Sequence, residues 1–168
     1  MPAVPAAVPV PRISFFVRGA PQTQGSKNAW HHWRPNGRCI VRVAEVSGPK
    51  LQEWRALVAT AAKRAMKQAP PFAGPVRVMA GFWFERPASH TRAQREDPFV
   101  HGAGRHDLDK TLRALLDSLA QAAVVKDDGQ VAVLAAEKRY AVADIPAGVY
   151  VVVEALQLDE EPLFEGPP

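Results

Sequence analysis

Cysteine is nearly absent from this sequence. Cys39 is the only one in 168 residues, which excludes an intramolecular disulfide and any zinc site built from thiolates. A reducing cytoplasm fits that usage. Also missing is any apolar run near the roughly 20 residues needed to cross a bilayer, so no membrane partner is expected. The opening MPAVPAAVPVP is apolar, but no basic residue precedes it and prolines break it. Residues 1–11 therefore read as a loose arm rather than a signal peptide. No internal repeat is visible. What remains, 47% hydrophobic and 23% charged, is enough for one globular domain over 12–157 with a single core.

Charge is unevenly spread. Lys and Arg number 21 against 17 Asp and Glu. Four of those acids (Asp159, Glu160, Glu161, Glu165) fall in the last ten residues. Residues 1–158 thus hold 21 basic and 13 acidic side chains, a net of +8. A basic body followed by an acidic tail over 158–168 points to a polyanionic partner, most simply nucleic acid.

Along the chain, Arg12–Arg18 has the β-branched and aromatic content of a strand. A polar, aromatic and basic stretch, QTQGSKNAWHHWRPNGR, follows as a loop, and Cys39–Val46 reads as a short strand. Ser47-Gly48-Pro49 resembles a helix start, with a capping hydroxyl and a proline in the first turn. Leu51, Trp54, Leu57, Val58, Ala61 and Ala62 recur at helical spacing until Pro70-Pro71. Val76–Phe84 reads as a strand. Residues 87–106 lack periodicity and carry Arg92, Arg95 and Arg105, which predicts a long mobile loop. Leu108, Leu112, Leu115, Leu116 and Leu119 then form one apolar stripe of a second helix. Val131–Val142 and Val149–Leu156 read as two strands of a hairpin turning at residues 144–148. The order predicts an α+β domain, with two main helices packed on a mixed sheet of four to five strands.

The segment HDLDKTLRALLDSLAQAAVVKDDGQ, residues 106–130, carries the chemistry. Asp107 and Asp109 are two positions apart, and two helical positions turn about 200°. Both carboxylates can converge only if Asp107 is an extended N-cap. Capping alone would account for aspartate there, and Asp127-Asp128-Gly129 is good turn chemistry in its own right. The two pairs together allow more. From Asp109 the helix runs about 18 Å, and residues 122–127, if extended, could return about 20 Å, bringing Asp127 or Asp128 beside Asp107 and Asp109. Clustered carboxylates without a cation would repel one another. Oxygen ligands with no thiolate nearby select Mg²⁺, with Mn²⁺ as a substitute. In a basic protein this is the chemistry of phosphodiester hydrolysis.

Asp107-Leu108-Asp109, Arg113 and Asp117-Ser118-Leu119, followed by Asp127-Asp128-Gly129-Gln130-Val131, resemble the RusA family of Holliday-junction resolvases, and the order of elements agrees over most of 12–157. The resemblance implies a small dimeric endonuclease, often phage-borne, that cuts four-way DNA in recombination and repair using Mg²⁺ or Mn²⁺. It implies that Asp107, Asp109 and Asp128 hold the metal, with Asp127 an outer or alternative ligand. Two positions depart from the family. Lys110 stands where asparagine is frequent, and Arg113 where lysine is frequent. Arginine stays protonated and can clamp a phosphate but not act as a base. A role that needs a neutral amine would fall to Lys110. Asp117, about 12 Å along the helix from Asp109, is expected to be structural and to pair with Arg113.

DNA contacts are expected from Lys27, Trp30, Arg34, Arg105 and Lys138. The tryptophans could stack on unpaired bases or fold back onto the core. Arg139 is a further candidate for backbone contact, and His106 could touch the scissile phosphate. His31-His32 is poorly placed to chelate one ion. The alternatives are a catalytically silent junction binder and a metal nuclease that prefers flaps or forks.

Overall fold

The computed structural model describes residues 11–25, 27–45, 48–101 and 106–157; side-chain surroundings are described for all of these except 27–28 and 42–45. Ten elements follow in order: β1 (Arg12–Arg18), β2 (Lys27–Trp33), β3 (Cys39–Glu45), α1 (Pro49–Met66), β4 (Val76–Phe84), α2 (Arg92–Glu96), α3 (Leu108–Gln121), a single 3₁₀ turn (Asp128–Gln130), β5 (Val131–Tyr140) and β6 (Gly148–Ala155).

β4 organises the main sheet. Its residues alternate strictly between buried and half-buried. Val76, Val78, Ala80, Phe82 and Phe84 form the inner row, none more than 5% exposed. An apolar strand of this kind belongs in the interior of a sheet. β4 accordingly pairs on both sides, antiparallel to β6 and parallel to β5, and β1 adds antiparallel to the far side of β6. The order is β1-β6-β4-β5. α1 and α3 pack together over one face, where Trp54, Val58, Ala62, Ala114, Leu115 and Leu119 meet the inner row. β2 and β3 stand apart as a two-stranded sheet.

This α+β arrangement matches the expected class and differs in four details. β5 and β6 are not a hairpin, because β4 lies between them. Residues 141–147 cross the end of β4, where Ala141 N donates to the Phe84 carbonyl at 2.8 Å. The polar stretch after β1 contains a strand, β2, in full register with β3. α1 is capped by Gly48 without a side-chain bond, and Ser47 lies outside the described residues.

The fourth difference concerns residues 87–101, expected as an irregular mobile loop. They hold α2, closed by a capping box between Thr91 and Gln94. The Arg86 guanidinium donates to the carbonyls of Gln94 and Asp97 and lies 4.1 Å over the Tyr140 ring. Val100 N and Tyr140 N exchange bonds across to the Lys138 and Pro98 carbonyls. The segment is stitched to the edge of β5. Arg86, with Arg95 donating to the His90 and Ala88 carbonyls, takes the place of the periodicity the sequence lacks.

Gly148 sits where β6 meets β1. A Cβ there would lie 2.2 Å from the Val17 carbonyl oxygen. Gly148→Ala is expected to destabilise the fold by about 1–3 kcal/mol through overpacking, measured as a lower urea midpoint. Gly74→Ala, where a Cβ meets nothing within 4 Å, should stay within about 0.5 kcal/mol.

Candidate active site and nucleic-acid interface

α3 begins where Asp107 leaves extended backbone, at φ −62° and ψ 124°. Thr111 fixes that entry, its N–H and hydroxyl both donating to the Asp107 carbonyl, at 3.0 and 2.9 Å. The Asp107 side chain does not cap the helix. Its carboxylate accepts instead from the Lys110 ammonium at 2.7 Å. Capping therefore does not explain an aspartate at this position. The Lys110 hydrogen bond, then its charge and that of Lys138, hold the Asp107 carboxyl below the usual carboxylate range. Asp107 in turn raises Lys110, chiefly through the same hydrogen bond. Lys110 therefore stays protonated, and this arrangement offers no neutral amine.

The neighbouring elements fix this helix end. Lys138 on β5 reaches over to donate to the His106 carbonyl at 2.8 Å. The His106 ring stacks on Phe84 with centroids 4.1 Å apart. From the other side Gln24 N donates to the Lys110 carbonyl at 3.1 Å, joining the segment after β1 to the first turn of α3. Asp109 and Arg113 are both exposed and four positions apart, on one face of the helix. Asp117 does not pair with Arg113. Its partner is Arg55 of α1, at 3.4 Å, a contact that ties the two helices together. Arg139 chelates Glu137 and lies 4.9 Å over Phe99.

The second acidic block lies at the other end of α3. Asp127 closes its own turn, with Oδ1 accepting from Gly129 N at 2.8 Å, while Asp128 is exposed beside it. A Cβ on residue 129 would lie 2.7 Å from that oxygen, so a larger residue there would push the Asp127 carboxylate aside. Gln130 pins the block to the chain ahead of β4 by donating to the carbonyls of Phe72 and Gly74, each at 2.9 Å. Asp128 is thus at the Val76 end of β4 and Asp107 at the Phe84 end, separated by the 14 residues of α3, about 21 Å.

The expected return of residues 122–127 as extended chain does not occur. Ala122, Ala123 and Val124 bond back to the carbonyls of Ser118, Ala120 and Leu119. Ala123 takes φ +55°, and Val124 and Val125 are buried. The chain turns directly into β5. The chain brings Asp107, Asp109, Lys110, Arg113 and Lys138 to one end and leaves Asp127 and Asp128 at the other. Among the described residues no three His, Cys, Asp or Glu side chains meet as a metal-binding group.

The β2–β3 hairpin carries the aromatic residues of the candidate interface. Trp30 is 51% and Trp33 68% exposed, so neither folds back onto the core. Arg34 is exposed at the tip, where Arg34 N donates to the Arg38 carbonyl at 2.9 Å and Gly37, at φ +72°, closes the turn. Lys27 opens β2. Arg105 lies outside the described residues.

A family model described as endodeoxyribonuclease RusA matches residues 28–154, from the second residue of β2 to the penultimate residue of β6. The chain belongs to the RusA family. No curated protein matches it. The matched span covers both acidic blocks and all but the first residue of the hairpin of this RusA chain. Arg38, exposed at the same tip, is a candidate contact that sequence reasoning missed, and the absence of any acid between Lys27 and Ala44 is the signal that could have found it.

Because Lys110 is the largest cause of the shift, Lys110→Met should move the Asp107 titration up toward the ordinary carboxylate range, read by ¹³C NMR of the side-chain carboxyl. The sign for stability follows. A depressed Asp107 contributes stability that is fully present above the ordinary carboxylate range and is lost as pH falls below that range through the lowered folded-state value. The variant should therefore lose less stability than the parent on acidification. An unchanged Asp107 titration would mean the pair does not form in solution.

Proposed function

We propose that this RusA-family chain is a divalent-metal-dependent endodeoxyribonuclease that resolves four-way DNA junctions by paired nicks, acting as a homodimer. The observation that carries the dimeric part is the placement of the two acidic blocks at opposite ends of α3. The donor set fits Mg²⁺ or Mn²⁺ chemically. Every carboxylate concerned is a hard oxygen ligand, the one thiol (Cys39) sits on the hairpin beside His31, and the Asp107 carboxylate already holds a cationic group at 2.7 Å.

A single protomer supplies only part of a shell. In a two-fold dimer with α3 running antiparallel to its mate, Asp107 and Asp109 of one protomer meet Asp128 of the partner subunit, and the mirror arrangement forms at the other end. These three carboxylates would hold the cation, and Asp127 would steady the turn that presents Asp128. When bound there, the cation supplies an activated water and offsets charge at the scissile phosphate. Arg113, one helical turn past Asp109, clamps the phosphate and stabilises negative charge that builds up in the transition state. Lys138 holds the entry to α3 and adds positive charge to the same end. No described helix is long and apolar enough to cross a membrane.

The direct test is cleavage of a labelled synthetic four-way junction beside a linear duplex of the same sequence, with Mg²⁺, with EDTA, and with variants. Asp109→Asn should lower junction cleavage at least about a hundredfold while leaving junction binding in place. Asp117→Asn should cut normally, since Asp117 pairs with Arg55 of α1 away from the candidate ligands. Binding without cutting in either metal would make the chain a silent junction binder. Cutting confined to flaps or forks would reassign its substrate.

Mixing subunits tests the shared site. Asp109→Asn and Asp128→Asn homodimers should each be inactive. After denaturation and refolding together, about half the dimers are mixed, and each mixed dimer regains one intact site of two. Roughly a quarter of parental nicking should return, as single nicks rather than paired cuts. No recovery at all would place the three carboxylates within one chain.

A further inference from the structure

We propose that the β2–β3 hairpin is a two-sided wedge that enters the crossover of a branched DNA and stacks an unpaired base on each of its faces; this deepens the junction reading above and rests on it. A two-stranded antiparallel sheet is marginal by itself in water, and among the described residues this one pairs with no other strand. Trp33 pairs with Cys39 and His31 with Val41, and because side chains alternate these four share one face. The 3.6 Å approach of Cys39 Sγ to His31 Nδ1 confirms that face. Trp30 and His32 lie on the opposite face with Ile40. Both faces are open: Trp30, Trp33 and Val41 are all more than half exposed, and His31 and His32 are exposed beside them.

A hairpin that only had to hold its shape would bury its tryptophans on one side. Here each face presents one indole, three residues and about 10 Å apart along the strand. Charge identifies the occupant. Residues 27–44 contain Lys27, Arg34, Arg38 and Arg42 and no Asp or Glu, so a polyanion fits and an acidic-lined protein groove would have to supply all the complementarity itself. Exposed aromatics interleaved with cations are the composition that stacks bases while following a phosphate backbone. An intact duplex hides its base faces, whereas the point where strands part exposes them to both sides of an inserted blade. The segment leading into the hairpin is bonded to the first turn of α3 through Gln24 and Lys110, which tethers the start of β2, three residues on from Gln24, to the candidate site. A wedge in the crossover would then set where α3 meets the backbone.

The experiment uses the full chain carrying Asp109→Asn to prevent cutting, and a four-way junction with 2-aminopurine either at the crossover or in mid-arm. Binding by this parent should change 2-aminopurine emission at the crossover and leave the mid-arm probe unmoved. Trp30→Leu/Trp33→Leu should still prefer junction to linear duplex through its cations, but bind about tenfold more weakly and leave the crossover probe undisturbed. Trp30→Phe/Trp33→Phe should restore the signal, since it restores stacking surface without the indole. An unchanged thermal midpoint in all variants would confirm that the fold is intact, as expected for exposed positions. If the leucine pair disturbs the crossover probe as strongly as the parent, the wedge is wrong and the resolvase reading stands. If the parent shows no preference for the junction over the duplex, the wedge and the resolvase reading both fall.

Discussion

The parallel pairing of β4 with β5 is the constraint on which the rest of this molecule depends. Parallel neighbours cannot be joined by a tight turn and need a crossover of a dozen residues or more. α3 is that crossover. It must run back along the sheet from the Phe84 end of β4 to the Val131 end of β5, and its apolar stripe (Leu115, Leu119 and Ala114, all fully buried) is what it lays on the inner row of β4. Once that packing is set, the two termini of α3 are at opposite edges of the sheet. The Asp107 and Asp128 blocks inherit that separation, and no loop adjustment can undo it without unpacking the core.

The same constraint concentrates chemistry at one edge. β1, β4 and β5 all point their carboxyl ends the same way, since β6 is antiparallel to both β1 and β4. The segment after β1, the stitched segment after β4 and the start of α3 therefore gather together. Outside the carboxyl ends of parallel strands is where open sheets of this general kind place their ligands. Here the gathering is held by particular bonds: Gln24 to Lys110, Lys138 to His106, and His106 against Phe84. Lys110 neutralises the carboxylate of Asp107 within that edge, so one charge of the acidic block has a counterion inside the chain.

Much of this was legible in the sequence. β1, β4, α1 and α3 follow from composition and periodicity, because each has an apolar face that must be buried and the spacing of that face names the element. The D-x-D and D-D-G-Q-V blocks were legible as a pair, and with them the family. β2 was not, because Ala29–Trp33 is exposed throughout and so shows no alternation between apolar and polar positions. The partner of β6 was not legible either. Val131–Val142 and Val149–Leu156 are adjacent in sequence and each is a good strand, but which pairs with which was decided by the need of β4 for neighbours on both sides. The convergence of the carboxylates failed for a related reason. Reach along an extended chain was an upper limit, whereas Val124 and Val125 are apolar and went into the core instead of spanning back across it. Asp117 was correctly read as structural, but its partner on α1 depends on helix packing that no local spacing reveals.

The position of β6 has a further consequence, for the order in which the molecule can be assembled. β6 lies between β1 and β4, yet it is the last strand of the sheet to leave the ribosome. Until residues 148–155 are free, β1 has no partner and β4 has an open edge lined with apolar side chains. Contacts that join the first strand to the last have the highest loop-closure entropy and form slowly. A nascent or truncated chain lacking this strand would expose sticky edges rather than a smaller version of the fold, so the domain can become native only once β6 has been made.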